Sequence, residues 1–293
     1  MGVSSLAGKV VVITGAGSGI GRALALAAAA DGAKLALSDI DVAGLAETVR
    51  LAGGATVRSD QLDVRDQPAV AAYAAAVAAE FGTVNVVINN AGVSVTGGVL
   101  EVGYADFEWV MDINFWGVVK GTKEFLPYLI ASGDGYLVNL SSLFGLLSVP
   151  RQSAYNAAKF AVRGFTESVR QEMLAAGHPV RVSCVHPGGI KTAIVRNCRV
   201  APGEDHAALV DFFDRRLAKT SADRAAAVIL AGVLAGKPRI LVGADAKVLH
   251  ALATVLGARH QRLMAGVSAR LMPGRTTLRA GGAAGRGGAS AGG

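Results

Sequence analysis

Cysteine is nearly absent from the 293-residue chain: Cys184 and Cys198 are its only two. Two thiols cannot make a disulfide framework, and no CxxC or Cys/His cluster suggests zinc. A reduced, cytoplasmic setting follows as the expectation. Cys184 falls in a predicted strand and reads as a small apolar core residue, whereas Cys198 reads as a bystander thiol in a loop. Aromatic residues are only 5% and charged residues only 17%, while hydrophobic residues reach 52%. These proportions exclude global disorder and disfavour an aromatic-rich sandwich. Long apolar runs are also missing. The longest, such as AAAVILAGVLAG at 225–236, fall short of the roughly 18 residues of a spanning helix. The start MGVSSLAGK has no charged region followed by an apolar stretch, so no secretory leader is expected. Acidic residues are wholly absent from 246–293.

What is abundant is small. Glycine alone contributes 38 residues, beside many alanines. Such a chain buries area by laying helices tightly on a sheet. The net charge is +7, from 29 basic and 22 acidic residues, yet its placement matters more than its size. Residues 1–245 hold 22 of each sign, and the last 48 residues hold seven cations alone. The body is neutral, so a nucleic-acid binder is not expected.

Apolar, β-branched runs alternate with helical stretches. KVVVIT (9–14), KLALSD (34–39), TVRSDQLDV, VNVVINN (84–90), GYLVNLSS (135–142), VRVSCVHP (180–187) and Arg239–Val242 read as seven strands. Helices are expected over 20–30, 42–52, 69–81, 103–130 and 153–176, with Pro127 bending or ending the last turn of the fourth. Solid apolar strands are buried on both faces. The alternation predicts an α/β, doubly wound, Rossmann-type, mainly parallel seven-stranded sheet with helices on both faces. This domain is expected to span 1–245. A basic helical extension follows over 246–279, with Leu249, Leu252, Leu256, Leu263, Val267 and Leu271 on one side of a helix that Pro273 ends. A Gly/Ala-rich tail at 280–293 reads as disordered.

TGAGSGIG at 14–21 follows the first strand and opens a helix. Gly15 allows the tight turn, Gly19 lets backbone approach a pyrophosphate, and Gly21 lets helix pack on strand. With Ser18 and Ile20 they form a phosphate loop whose helix N-terminus favours anions. The second strand ends at Asp39, 18 residues past Gly21. A carboxylate there accepts hydrogen bonds from adenine-ribose hydroxyls and repels a 2′-phosphate, which favours NAD over NADP. Arg22 is the one nearby cation. Tyr155 and Lys159 stand one helical turn apart on one face. An ammonium beside the phenol is expected to lower its pKa and make it an acid/base. Ser142, at the end of a strand, can reach the same centre.

Together with NNAG (89–92), Asn114 in MDINFWG, LVNLSS, YNAAK (155–159) and HPGGIKT (186–192), this series resembles the short-chain dehydrogenase/reductase family of compact, single-domain type. The resemblance covers about residues 7–245. It implies that Tyr155 exchanges the proton at the substrate oxygen. It implies that Lys159 binds the nicotinamide ribose and lowers the Tyr155 pKa, and that Ser142 hydrogen-bonds the substrate. Asn114 would hold a relay water. Asp63 and Val64 would cradle the adenine, and Asn90, Ala91 and Gly92 would line the ribose. The backbone of Pro187, Gly188 and Ile190, with the Thr192 hydroxyl, would fix the nicotinamide amide. His186 reads as a local hydrogen-bonding residue. No metal is needed.

A loop over 193–221 is expected to close on the substrate. Its Ile194, Val195, Leu209, Val210, Phe212 and Phe213, with Leu143, Phe144, Leu146, Leu147 and Val149, suggest an apolar pocket for a lipophilic secondary alcohol or ketone. Arg151, Arg196 and Arg199 are the cations that might await a substrate carboxylate. The alternatives are an NADP-linked ketoacyl or carbonyl reductase and a non-enzymatic NAD-binding interaction protein. The resemblance also implies a homodimer or homotetramer formed through the helices at 103–130 and 153–176. The basic helix has three candidate roles: covering the pocket, packing between subunits, or resting on an anionic membrane surface.

Overall fold

The structure, a computed structural model, describes residues 5–271. The predicted tail at 280–293 and the end of the extension at 272–279 lie outside the described residues. Chain order is β1 (Val10–Thr14), α1 (Gly19–Ala30), β2 (Lys34–Asp39), α2 (Val42–Leu51), β3 (Val57–Gln61), α3 (Gln67–Phe81), β4 (Val86–Asn89) and β5 (Val95–Thr96). Then come α4 (Tyr104–Met111), a π-helical turn (Asp112–Trp116), α5 (Gly117–Ala131), β6 (Gly135–Leu140), a 3₁₀ turn (Leu143–Gly145), α6 (Ser153–Ala175) and β7 (Val180–Pro187). The chain continues with β8 (Arg199–Val200), α7 (His206–Phe212), a second π turn (Phe213–Leu217), α8 (Ala222–Leu234) and β9 (Arg239–Val242). It closes with α9 (Ala244–Leu256), a 3₁₀ turn (Gly257–Arg259) and α10 (His260–Leu271).

Seven strands form one all-parallel sheet in the order β3-β2-β1-β4-β6-β7-β9. The winding reverses between β1 and β4, and the crevice outside their carboxyl ends is where such sheets bind ligands. Every residue of β1, β4 and β6 is buried, as their unbroken apolar character predicts. Two cores follow. One packs α1 and α8 on the inner side of Val11, Ile13, Leu35 and Leu37. The other packs α3, α5 and α6 on Val10, Val12, Val87 and Leu137.

A buried polar ladder crosses the second face. Asn89 Nδ2 donates to Asn139 Oδ1 (2.8 Å), and Asn139 Nδ2 donates to Thr166 Oγ1 (3.0 Å). The Thr166 hydroxyl in turn donates to the Val162 carbonyl (2.6 Å). It ties β4 and β6 to α6, the helix that carries Tyr155 and Lys159.

Three expectations are refined by the structure. The helix expected over 103–130 is α4 and α5 joined through a π turn, and Pro127 leaves only one further turn before α5 ends at Ala131. The segment 193–221 is built, not bare loop: β8 pairs in parallel with β5, and α7 follows. The single helix expected over 246–272 breaks at Gly257, whose φ of +51 lies in the left-handed region. The 3₁₀ turn resets the phase, so Met264 and Ser268 turn inward while Leu263, Val267 and Leu271 are exposed. The six apolar residues of that stripe therefore do not share one buried face.

Gly121 of α5 lies against the ladder. A Cβ there would sit 2.2 Å from Asn89 Oδ1. Gly121→Ala is expected to lower unfolding stability by about 1–3 kcal/mol through overpacking, read as a lower urea midpoint at unchanged slope.

Candidate active site

The loop between β1 and α1 is held from below. The Thr14 hydroxyl accepts from the backbone N–H of Asn90 (3.1 Å) and Ala91 (3.2 Å). Asn90 Nδ2 donates to the carbonyls of Thr14 and Gly15, both at 2.9 Å. A Cβ on Gly15 would lie 2.8 Å from Ala91 Cα, and one on Gly21 only 2.0 Å from the Gly15 carbonyl oxygen. Glycine is therefore required at both positions. Ser18 caps α1 without a side-chain hydrogen bond, so the first backbone N–H groups of the helix have no cap partner and are open to an anion. A groove of about 310 Å³ runs beside Gly19, between Arg22, Lys191, Thr192 and Arg196, with Asp223 at its edge.

Asp39 turns back on this loop from the end of β2. Its Oδ2 accepts from Gly17 N–H (2.7 Å) and its Oδ1 from Asp41 N–H (2.9 Å). Arg22 is held elsewhere: its guanidinium donates to the Thr48 hydroxyl (3.0 Å) and to the carbonyls of Gly17 and Gly44. Asp63, after β3, is paired with Arg65 (2.6 Å), whose hydrogen bonds hold its carboxyl below the usual range. Val64 is buried against Gly117, where a Cβ would come within 2.8 Å of Val64 Cγ2.

Tyr155 and Lys159 emerge together from the first turns of α6. The Lys159 Nζ lies 5.6 Å from the centre of the Tyr155 ring and donates to the Leu140 carbonyl (2.9 Å). Burial pushes the Lys159 ammonium down to about 8. Burial also raises the Tyr155 phenol to about 12, against the pull of its hydrogen bond with Ser142. The net shift is upward where the sequence predicted a lowering by Lys159: desolvation dominates, and the opposing pull comes from Ser142 and not from Lys159. The Phe144 ring packs edge-on against Tyr155 at 6.2 Å. Ser142 Oγ accepts from Phe144 N–H (3.1 Å), and the Ser142 carbonyl meets His186 Nδ1 (2.9 Å).

Asn114 sits in the π turn, a distortion that often marks functional sites. Its side chain is doubly tied to Val93, accepting from the N–H (2.7 Å) and donating to the carbonyl (2.8 Å). Gly92 lies between it and the lysine: a Cβ there would meet Asn114 Oδ1 at 3.2 Å and Lys159 Nζ at 3.5 Å. Pro187 ends β7, and Gly188, Ile190 and Thr192 follow it. The Thr192 side chain approaches Gly19, lying 3.2 Å from where a Cβ would be. Ile190 bridges to Thr220.

The structure brings Gly15 to Asn90, Asp39 to Gly17, Thr192 to Gly19, and Gly92 to Asn114 and Lys159, whereas the Asp63 carboxylate is engaged by Arg65. The three arginines considered for a substrate carboxylate are already paired. Arg151 meets Glu204, Arg196 meets Asp214 (2.9 Å), and Arg199 meets Asp106 (2.8 Å) while stacking on Trp109. Cys184 is buried in β7, as expected. Cys198 is buried as well, because β8 folds back on β5. Two contributors were not foreseen. Thr14 stands inside the glycine motif and was legible there. Asp245 carried no motif.

The residues fit a dinucleotide: an open cradle of amides, a carboxylate at the ribose end, and a lysine and tyrosine at the other. A glycine-looped Rossmann sheet with a Ser–Tyr–Lys site defines a nucleotide-dependent oxidoreductase. The family model for short chain dehydrogenases matches residues 9–202. The chain belongs to that family, whose members act on CH–OH groups with a nicotinamide cofactor. SadH of Mycobacterium tuberculosis is 60% identical over 273 residues, covering 92% of this chain and 99% of its own. The crystal structure of a short chain dehydrogenase/reductase from Burkholderia phymatum in complex with NAD superposes with a TM-score of 0.81 at 32% identity, covering 88% of this chain and 97% of that one. An alcohol dehydrogenase from the archaeon Thermococcus sibiricus, complexed with 5-hydroxy-NADP, gives 0.68 at 26% identity, covering 80% and 95%.

His186 is fully buried, and its Nε2 has no partner among the described residues. Burial pushes the imidazole down to about 4 from an ordinary 6.5. Below 6.5 the unfolded chain takes a proton that the folded chain refuses. Stability from this group is therefore present above that pH and is lost as the pH falls towards 4, by up to about 3 kcal/mol. Urea unfolding at pH 7 and at pH 4.5 should show a smaller acid loss for His186→Gln than for the native chain.

Proposed function

We propose that the chain is an NAD-dependent dehydrogenase of lipophilic secondary alcohols, or the corresponding ketone reductase, with Tyr155 as acid/base. The observation that carries this reading is the placement of Lys159 Nζ 5.6 Å from the centre of the Tyr155 ring, on the same face of α6, with Ser142 near enough to pull on the phenol pKa. The bound nicotinamide would supply the hydride acceptor or donor. Ser142 Oγ and Tyr155 Oη hold the substrate oxygen. In oxidation the carbinol carbon loses hydride and the hydroxyl proton passes to Tyr155. In reduction the phenol donates that proton, and the raised Tyr155 pKa keeps it in the donating form. Lys159 lends positive charge beside the phenol and would bind the nicotinamide ribose, and Asn114 and Gly92 lie beside Lys159, where Asn114 would hold a relay water.

NAD is favoured over NADP by the ribose end. Asp39 accepts from the Gly17 and Asp41 backbone, Ser38 precedes it on β2, and Arg22 is engaged by Gly17, Gly44 and Thr48. The paired state of Arg151, Arg196 and Arg199 supports a substrate without a carboxylate. An NADP-linked ketoacyl or carbonyl reductase fits Asp39 less well. A non-enzymatic binder would have no use for the assembled Ser–Tyr–Lys set. Exposed Trp116 at the end of the π turn before α5, with exposed Phe160 and Leu174 on α6, support association as a homodimer or homotetramer.

The extension supports contact with an anionic bilayer. Val248, Val255 and Leu271 are 65%, 83% and 59% exposed. Lys247, Arg259, Arg262 and Arg270 are exposed around them, with no acid from 246 to 271. Among the described residues no helix is long and apolar enough to cross a membrane.

Two experiments test these readings. Tyr155→Phe should lower kcat by about 10²–10⁴ while NAD binding is kept, in assays of alcohols and ketones run with both cofactors. Unaltered turnover, or equal efficiency with NAD and NADP, would refute the corresponding part. The intact chain should co-sediment with phosphatidylglycerol vesicles at low salt. Changing Arg259, Arg262 and Arg270 to Glu should abolish this, and no sedimentation of the native chain ends the membrane reading.

A further inference from the structure

The segment after β9 lies outside the part of the chain that the family model matches, yet its first turn enters the crevice. Asp245 Oδ2 accepts from the backbone N–H of Gly189 at 2.6 Å. Two glycines make room for this carboxylate. A Cβ on Gly188 would lie 2.2 Å from Asp245 Oδ2, and one on Gly243 would lie 2.3 Å from Asp245 Oδ1. Gly243 also has φ +101, which an ordinary side chain would rarely adopt. Gly188 N–H donates to the Val242 carbonyl (2.9 Å), so the loop after β7 lies directly against the strand that leads into α9.

The other edge of the same loop is held too. The Gly189 carbonyl accepts from the N–H of Lys219 (3.1 Å) and Thr220 (3.2 Å), and Lys191 N–H donates to the Thr220 carbonyl (2.8 Å). Asp245 is the charged group on its opposite side. One residue further, Ala246 is fully buried against Leu143 and Leu147, with Leu249 and Ala253 beside it. Leu143 directly follows Ser142, and Leu147 stands four residues beyond Leu143. A single helical turn thus touches both the Pro187–Thr192 loop and the wall beside the catalytic serine.

We infer that Asp245 is a positioning residue for the nicotinamide half of the cofactor: it fixes the Gly188–Gly189 backbone, and through it the strand of chain running to Ile190 and Thr192. The inference rests on the dinucleotide site proposed above. It makes α9 part of the active site and not an appendage to a finished fold. A charged acceptor on a backbone N–H is a strong hydrogen bond, and its loss frees the loop without touching the phosphate loop or Asp39. Only the nicotinamide end of a ligand should notice.

Calorimetric titration of the full-length protein with NAD, and separately with ADP-ribose, tests this without any substrate. Asp245→Ala should weaken NAD at least about tenfold, the loss of one charge-assisted hydrogen bond, and leave ADP-ribose within about twofold. Asp245→Asn, which keeps an oxygen acceptor, should recover most of the NAD affinity. NAD binding by Asp245→Ala equal to that of the native chain overturns the inference and leaves the proposed function standing. An equal loss for NAD and ADP-ribose also overturns it, because the role would then be merely structural. A native chain that binds ADP-ribose but gains nothing from the nicotinamide half overturns both readings together.

Discussion

The carboxamide of Asn90 closes the gap that the sheet's reversal opens between β1 and β4. Parallel strands wound outward in both directions leave a crevice at their point of divergence, and nothing in the sheet itself fixes the loop above it. Asn90 does so by donating to the carbonyls of Thr14 and Gly15, while the Thr14 hydroxyl receives the N–H groups of Asn90 and Ala91. The next residue, Gly92, then falls beside Lys159 and Asn114. The glycine loop after β1 and the helix α6 are thereby set relative to each other through three consecutive residues.

Burial governs the electrostatics of the crevice. It holds Lys159 near 8, Tyr155 near 12 and His186 near 4, each shift favouring the neutral form. With its pKa raised, the Tyr155 phenol is protonated at neutral pH. The cost of burial is limited by hydrogen bonds to backbone: Lys159 to Leu140 and His186 to Ser142. Behind them, the Asn89–Asn139–Thr166 ladder binds α6 to the sheet without placing charge there.

The charge that distinguishes this chain lies elsewhere. Four of the seven cations of the last 48 residues fall on α9, α10 and the turn between them, on the outer side of a segment whose inner side is apolar. The same helix, α9, meets the loop after β7 through Asp245 and presents Val248 and Val255 outward.

Local sequence was enough for the sheet and most of its helices, because solid apolar runs and the βα alternation are short-range signals. It was enough as well for the glycine loop and for Tyr155 and Lys159, whose spacing alone sets them on one face. Asp39 was legible from its place at the end of β2. Other features depend on partners far along the chain. Arg151, Arg196 and Arg199 read as free cations until the fold brought Glu204, Asp214 and Asp106 to them. The phenol of Tyr155 read as acidified until its burial was known. The break at Gly257 turned a plausible apolar stripe outward, because one left-handed residue resets helical phase. Sequence alone determined the class of fold, the motif residues and the segregation of charge. Only the tertiary structure decided which charges are neutralised, which way the pKa values move and that Asp245 reaches the crevice, since each depends on desolvation and on contacts between residues distant in the chain.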